Sequence, residues 1–413
     1  MSRCLGPSLL GLTLGCLILA QPARHTRSAY AQSSGGQAVS ANRAKYVGDA
    51  ACLPCHRDQG LGYIQTSHHL SSMLAQKSTV SGSFASGSNI LTISNPLDSS
   101  QDPRLYFAMD AKADGLYQTA VAELGAKRLT RSERFDIVIG SGVRGQTYLY
   151  WKGDELFELP VSYWTDGHRW INSPGYKDGT ANFQRHVDPR CMECHTSYIH
   201  ALSTDPQTNV YDPESFVPGI GCESCHGAGA DHVTQETNRS GKSARPGRSI
   251  LNPARFSRDR RIDQCALCHN GTAREELTSA FSYVSGEPLD NYLAPNPLDT
   301  VDHPDVHGNQ VGLLKRSRCY LASPGMSCST CHEIHGPERT AASYSGRCLT
   351  CHTWQSCGAS KVQGEKIKGN CIDCHMPLQE TKAIVSVTAG GVVRASIRTH
   401  WIKVYPGMGP HAP

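Results

Sequence analysis

Between residues 328 and 375 the chain reads Cys328-Ser329-Thr330-Cys331-His332, then Cys348-Leu349-Thr350-Cys351-His352, then Cys371-Ile372-Asp373-Cys374-His375. Two cysteines three positions apart, with a histidine directly after the second, recur in each block. Working outward, the same pattern stands at Cys52/Cys55/His56, Cys191/Cys194/His195, Cys222/Cys225/His226 and Cys265/Cys268/His269. This is the haem c attachment signature. Two thiols on one turn can each add to a vinyl group of the same porphyrin, and the adjacent histidine then reaches the iron as proximal ligand. Zinc ribbons also use paired cysteines, but they have no need of a histidine after every second one. An exported chain with that many free dithiols would scramble its disulfides, a risk that thioether formation removes. The expected cofactor is therefore seven haem c groups.

Composition agrees. Only 38% of residues are hydrophobic and 7% aromatic, while there are 18 cysteines and 19 histidines in 413 residues. A chain this poor in apolar side chains must bury something else, and porphyrin faces remove surface from water as side chains do. The formal charge of +4 offers no basic stripe for nucleic acid, and two propionates per haem make the loaded protein acidic.

The first 31 residues read as a secretory signal: Arg3, an apolar run from Leu9 to Ala20, and Ala29-Tyr30-Ala31 as cleavage site. No stretch of the mature chain is apolar enough to span a bilayer. Fourteen cysteines go to haem and Cys4 and Cys16 leave with the signal. Cys319 and Cys357 remain and are expected to form a disulfide.

Histidine supply allows bis-histidine ligation throughout, since His68, His69, His186, His200, His232, His303, His307, His335 and His400 are all available as sixth ligands. His335 follows His332 closely enough to serve a neighbouring haem. His232 follows His226 through a flexible Gly227-Ala228-Gly229 link, and His400 can fold back over the last motif. His303 and His307 are alternatives to each other; His186 and His200 bracket the second motif. With few methionines, mostly low potentials are expected.

The expected fold is a mainly α or irregular multihaem array with few short helices, plus a small antiparallel β-rich insertion. Residues 32–45 are a disordered linker, 46–79 a first haem segment, 80–176 the β-rich insertion, 177–403 a six-haem array and 404–413 a tail. In the insertion, Leu105–Met109 and Leu116–Val121 flank an Asp114-Gly115 turn, and Thr147–Trp151 and Glu155–Leu159 flank Lys152-Gly153-Asp154, both hairpin signals.

Several blocks together resemble the cytochrome c554-like multihaem family. They are Tyr46 to His56 with Ser67-His68-His69, Cys222 to His232, Asn252-Pro253-Ala254-Arg255, Ser317 to Tyr320, Cys328 to His335, Cys371 to Pro377, and His400-Trp401-Ile402. The resemblance implies distal ligation by His69, His232, His335 and His400. It also implies an electron carrier whose partners are other cytochromes or a membrane quinol-oxidising complex, placed in the periplasm, at the outer membrane or outside the cell, alone or as a subunit. The alternative it leaves open is an oxidoreductase with one open haem acting on nitrite, hydroxylamine or tetrathionate.

Overall fold

The computed structural model describes residues 45–94, 104–239, 249–271, 274–296, 309–336 and 340–407. The expected signal segment, nearly all of the expected linker, His303 and His307 lie outside them.

Fifteen strands are present among the described residues, and every pairing between them is antiparallel. Four form one sheet in the order β2 (Ile90–Ile93), β3 (Arg104–Lys112), β4 (Gly115–Leu124), β5 (Lys127–Arg134). A seven-stranded sheet runs β1 (Ser72–Leu74), β6 (Ile137–Ile139), β7 (Gly145–Lys152), β8 (Glu155–Glu158), β11 (Arg185–His186), with β9 (Val161–Trp164) on β7 and β10 (Arg169–Asn172) on β9. Two hairpins, β12/β13 (Thr196–Ala201, Tyr211–Pro218) and β14/β15 (Leu378–Thr388, Gly391–Arg398), stand apart.

The β3/β4 turn sits one residue earlier than the Asp114-Gly115 signal suggests, because Lys112 pairs with Gly115 and leaves Ala113-Asp114 as the two central residues. The β7/β8 turn uses Gly153 at φ 68°, a left-handed conformation that suits glycine.

Alternation along the strands decides what each sheet packs against. Phe107 and Met109 of β3, Tyr148 and Tyr150 of β7, Val161 and Trp170 face one another between the two sheets and form the main core. Phe135 sits there with its ring 4.6 Å from Tyr148 in edge-to-face contact. Leu149, between the two tyrosines, points the other way, as do Ile137 and Leu156. That second face packs on Val187, Met192, Ile199 and Tyr211. Met192 lies between the cysteines of the second motif, so the sheet is the floor on which that motif rests.

This corrects the expected fold class. Helix makes up 26% of the chain and strand 29%, so the protein is β-rich rather than mainly α. The misleading feature is the attachment signature itself: each copy forces one helical turn, but only one turn. The segments between are free to pair as strands, and β14 and β15 carry Val385, Val387, Val392 and Val393, β-branched residues suited to a pleated surface.

The helices are short: α1 (Arg57–Tyr63), α2 (Pro189–Glu193), α3 (Glu223–His226), α4 (Ala230–Thr237), α5 (Arg258–His269), α6 (Gln310–Lys315), α7 (Arg318–Ala322), α8 (Cys328–Cys331), α9 (Ala341–Cys348), α10 (Ser360–Gln363) and α11 (Cys371–His375). Only α5 reaches three turns. Its Ser257 hydroxyl caps the Arg260 amide, and Ile262 and Ala266 pack with Leu289, Val311 and Tyr320 in a separate small core.

Candidate haem sites

Each motif is wound so that its three functional side chains share one turn. The amides of His56, His226, His332 and His352 donate to the carbonyls of Cys52, Cys222, Cys328 and Cys348 at 2.9–3.0 Å, closing an α-turn that brings the histidine over the first cysteine. The second motif closes more tightly, with His195 donating to the Met192 carbonyl at 3.0 Å. The fourth occupies the C-terminal end of α5.

The sequence treats the two thiols of a motif alike, and the structure does not. Cys52 is half-buried where it meets Cys222, whereas Cys55 lies exposed, as do Cys191 and Cys351. The turn itself is the reason. Three residues advance about 300° round a helix, so one sulfur can face a neighbouring motif while the other faces solvent. Cys55 thus lies on the outer side of the first motif.

Far-apart histidines then meet in pairs. Ring centroids are 6.3 Å apart for His56 and His232, 6.1 Å for His226 and His335, 6.0 Å for His332 and His400, and 5.9 Å for His68 and His269. These spacings are too long for stacked rings in contact. They match one metal held between two imidazoles, where bonds of about 2 Å and roughly 1 Å from nitrogen to ring centre put the centroids about 6 Å apart. The first three pairs are close to coplanar, with interplanar angles of 26°, 19° and 16°, while His68 and His269 cross at 84°.

Several rings have their far nitrogen occupied. Nδ1 of His226 donates to the Leu251 carbonyl at 2.8 Å, Nδ1 of His375 to Lys403 at 2.9 Å and Nδ1 of His400 to Arg398 at 3.3 Å. That bond selects the tautomer with a bare Nε2, the form a metal binds. Burial lowers the pKa of His400 to about 4, with His332 adding to the shift, and burial likewise lowers His335 beside His226. Both therefore stay neutral. Two cysteines with two facing imidazoles, as at the first, third, fourth and fifth motifs, would suit a covalently held haem.

The motifs also touch one another. The Cys222 amide donates to Asp49 at 2.8 Å, and the Cys52 and Cys222 thiols lie close together. Cys194 meets Cys268 and Cys265 meets Cys328 in the same way. Cys348 lies near both Cys331 and Cys371, and the Cys371 amide donates to Ser345 on α9 at 2.9 Å.

Comparison with known proteins completes the reading. Residues 170–227 match the family model described as cytochrome c554 and c-prime. The C-type polyheme cytochrome OmcB of Geobacter sulfurreducens is 23% identical over 244 residues, which is 52% of this chain and 30% of OmcB. OmcC of the same organism is 28% identical over 174 residues, 37% of this chain and 21% of OmcC. The chain is a multihaem c-type cytochrome. It binds haem c, and it spans less than a third of the length of these relatives. The crystal structure of the outer cell wall cytochrome OcwA shares its fold, with a TM-score of 0.53 and 17% identity over 88% of this chain and 80% of that one.

In this cytochrome the candidate sixth ligands divide. His232, His335, His400 and His68 each face a motif histidine. His69 instead turns Nδ1 toward Asp49 at 3.4 Å and sets its ring against the edge of Tyr63. His186, on β11, packs edge-on against Phe157, and His200 lies exposed on β12. Cys319 and Cys357 are free thiols, which corrects the expected disulfide. Cys319 lies beside Cys331 and Cys348, whereas Cys357 lies beside Cys374, so each sits at a different motif.

Residues that the sequence left unmarked do much of the positioning. Glu223, between the cysteines of the third motif, accepts from the amides of Val47, Gly48 and Gly229 at 2.7–3.1 Å, latching the start of the first haem segment to the third motif. Tyr63 holds the Ile220 carbonyl at 2.6 Å and lies between the rings of His69 and His335. His400 to Lys403 is one short segment with two duties: it brings a ring to His332 and a carbonyl to His375, with Trp401 covered by Arg316 and Lys403. A carboxylate between two attachment cysteines is the one such signal visible in the sequence.

Proposed function

We propose that the chain carries seven haem c groups and conducts electrons along them as an exported component of a respiratory chain. The observation that carries this reading is the unbroken contact of the motifs, first to third, third to fourth and fourth through to seventh, with the second against the fourth. When bound, haem supplies a one-electron ferrous–ferric couple. The protein's part would be to hold the groups close together, to offer paired imidazoles at the first, third, fourth and fifth motifs, and to set their potentials through carbonyl hydrogen bonds and burial. The apolar Leu9 to Ala20 run supports export. Among the described residues no helix is long and apolar enough to cross a membrane. Other cytochromes or a quinol-oxidising membrane complex are the proposed partners.

Haem quantification together with low-temperature EPR of the oxidised holoprotein tests the reading, with nitrite and cyanide added in turn. Seven haems, all low-spin and indifferent to the additions, support it. A high-spin iron that responds to nitrite turns it toward an oxidoreductase. Within that experiment, His335→Ala is expected to convert one haem to high-spin while leaving the haem total unchanged. An unaltered spectrum would remove His335 from the ligand set.

A further inference from the structure

Resting on the electron-transfer reading, we propose that α5, the helix bearing the fourth motif, is a junction where three arms of the array meet, rather than one position in a single file. Toward the third motif, Gln264 Nε2 donates to the Ser224 carbonyl at 3.2 Å, and Ser285 bridges Gln264 to the Cys225 carbonyl, which it reaches at 2.6 Å. Toward the second, Cys268 meets Cys194, and the Arg190 guanidinium donates to the Leu267 carbonyl. Toward the fifth, Cys328 packs with Ile262 and Ala266 of α5, and Arg258 and Arg261 donate to the Ser323 and Gly325 carbonyls at 3.0 and 3.1 Å.

Helix geometry makes this possible. Gln264 and Cys268 lie on one stripe a turn apart, and Cys265 is rotated by about 100° from Gln264. Three neighbours can therefore approach without competing for one face. The first motif meets the third, the second meets the fourth, and the seventh meets the sixth. The arms are thus first–third, second alone, and fifth–sixth–seventh.

The junction also carries its own marker. His269 and His68 cross at 84°, whereas the pairs at the first, third and fifth motifs are near coplanar. Low-spin ferric iron between crossed imidazoles would give a more anisotropic EPR signal than iron between coplanar ones, so the anisotropic signal that depends on His68 would report the junction.

The test is an EPR-monitored redox titration of that signal in the full-length holoprotein. His68→Ala is expected to abolish it; survival of the signal would overturn its assignment to the fourth motif and the proposal with it. Cys191→Ala with Cys194→Ala removes the second arm and should shift the midpoint of the signal. Cys371→Ala with Cys374→Ala removes the far end of the longest arm and should leave the midpoint in place. No shift in the first variant, or an equal shift in the second, overturns the junction. Should either double variant lose more than one haem, the unmodified protein still decides. Three neighbours changing charge should broaden the titration beyond a single one-electron step, and a clean single step overturns the proposal. Failure of the electron-transfer reading would show separately, as fewer than seven haems or a high-spin iron in the unmodified protein.

Discussion

The two-sheet core and the motif array are built from the same chain on opposite principles. Between the sheets, seventeen buried residues, most of them aromatic or branched, interlock side chain to side chain. In the array from Ala341 to His375 the buried apolar residues are Ile367 and Ile372, while Val362 is 79% exposed. Its cohesion comes from short helix contacts and from histidines brought to distant motifs. One half is held by residues that recognise each other, the other by residues that recognise a third party. A small scaffold with a thin core needs such staples, and here facing histidines link the first segment to the fourth motif and the C-terminal segment to the fifth.

The contrast would break most sharply in protein made without haem attachment. Hydrogen exchange should then show protection retained from β3 to β10 and lost from α8 to α11. Uniform protection, or uniform loss, would mean that the two halves do not differ in this way.

A smaller effect should separate them from the other side. Phe135 is 1% exposed and wedged against Tyr148 and Trp170. Phe135→Ala should cost about 3–5 kcal/mol in denaturant unfolding of the sheets while the haem count and EPR spectrum stay as they were.

At the seam between the first and third motifs, Glu223→Ala strands three amide donors, two of them in the first haem segment. It should cost on the order of 3 kcal/mol and disturb the EPR signals of those two haems together. Glu223→Gln, which keeps an acceptor oxygen, should be milder. Equal effects from both would show that the latch does not depend on the carboxylate.

The smallest expected effect is a pH dependence confined to the sheets. Burial raises Glu158 from 4.5 to about 7, with Arg185 at 3.1 Å opposing the shift. A carboxyl whose folded value lies above its unfolded one binds more protons when folded. Its contribution is therefore most favourable at low pH and is lost as pH rises from about 4.5 through about 7. Glu158→Gln should flatten that slope in pH-dependent unfolding, and an unchanged slope would assign it to other groups.

How much of this could be read from the chain differs between the halves. The hairpins at Gly115 and Gly153 were legible because turn chemistry and alternation act over a few residues. The attachment sites were legible because thioether and iron chemistry demand two thiols and an imidazole within one turn. Which thiol of a pair faces outward, as Cys55 does, was not, because that depends on what packs against the turn. Strands β12 to β15 were obscured by the motifs around them. That His68 faces His269 while His69 faces Asp49 was not legible, since adjacent residues on one segment point in different directions and only the packed chain shows where.

Spacing along the chain therefore determined the cofactor class and the covalent and proximal ligands, because those contacts are local and leave no freedom in sequence separation. Tertiary structure decided which distant histidines face the first, third, fourth and fifth motifs, that Cys319 and Cys357 stand apart, and that α5 meets three neighbours. Those pairings join segments far apart in sequence. Their partners are chosen by how sheets and short helices pack, and no local spacing records that.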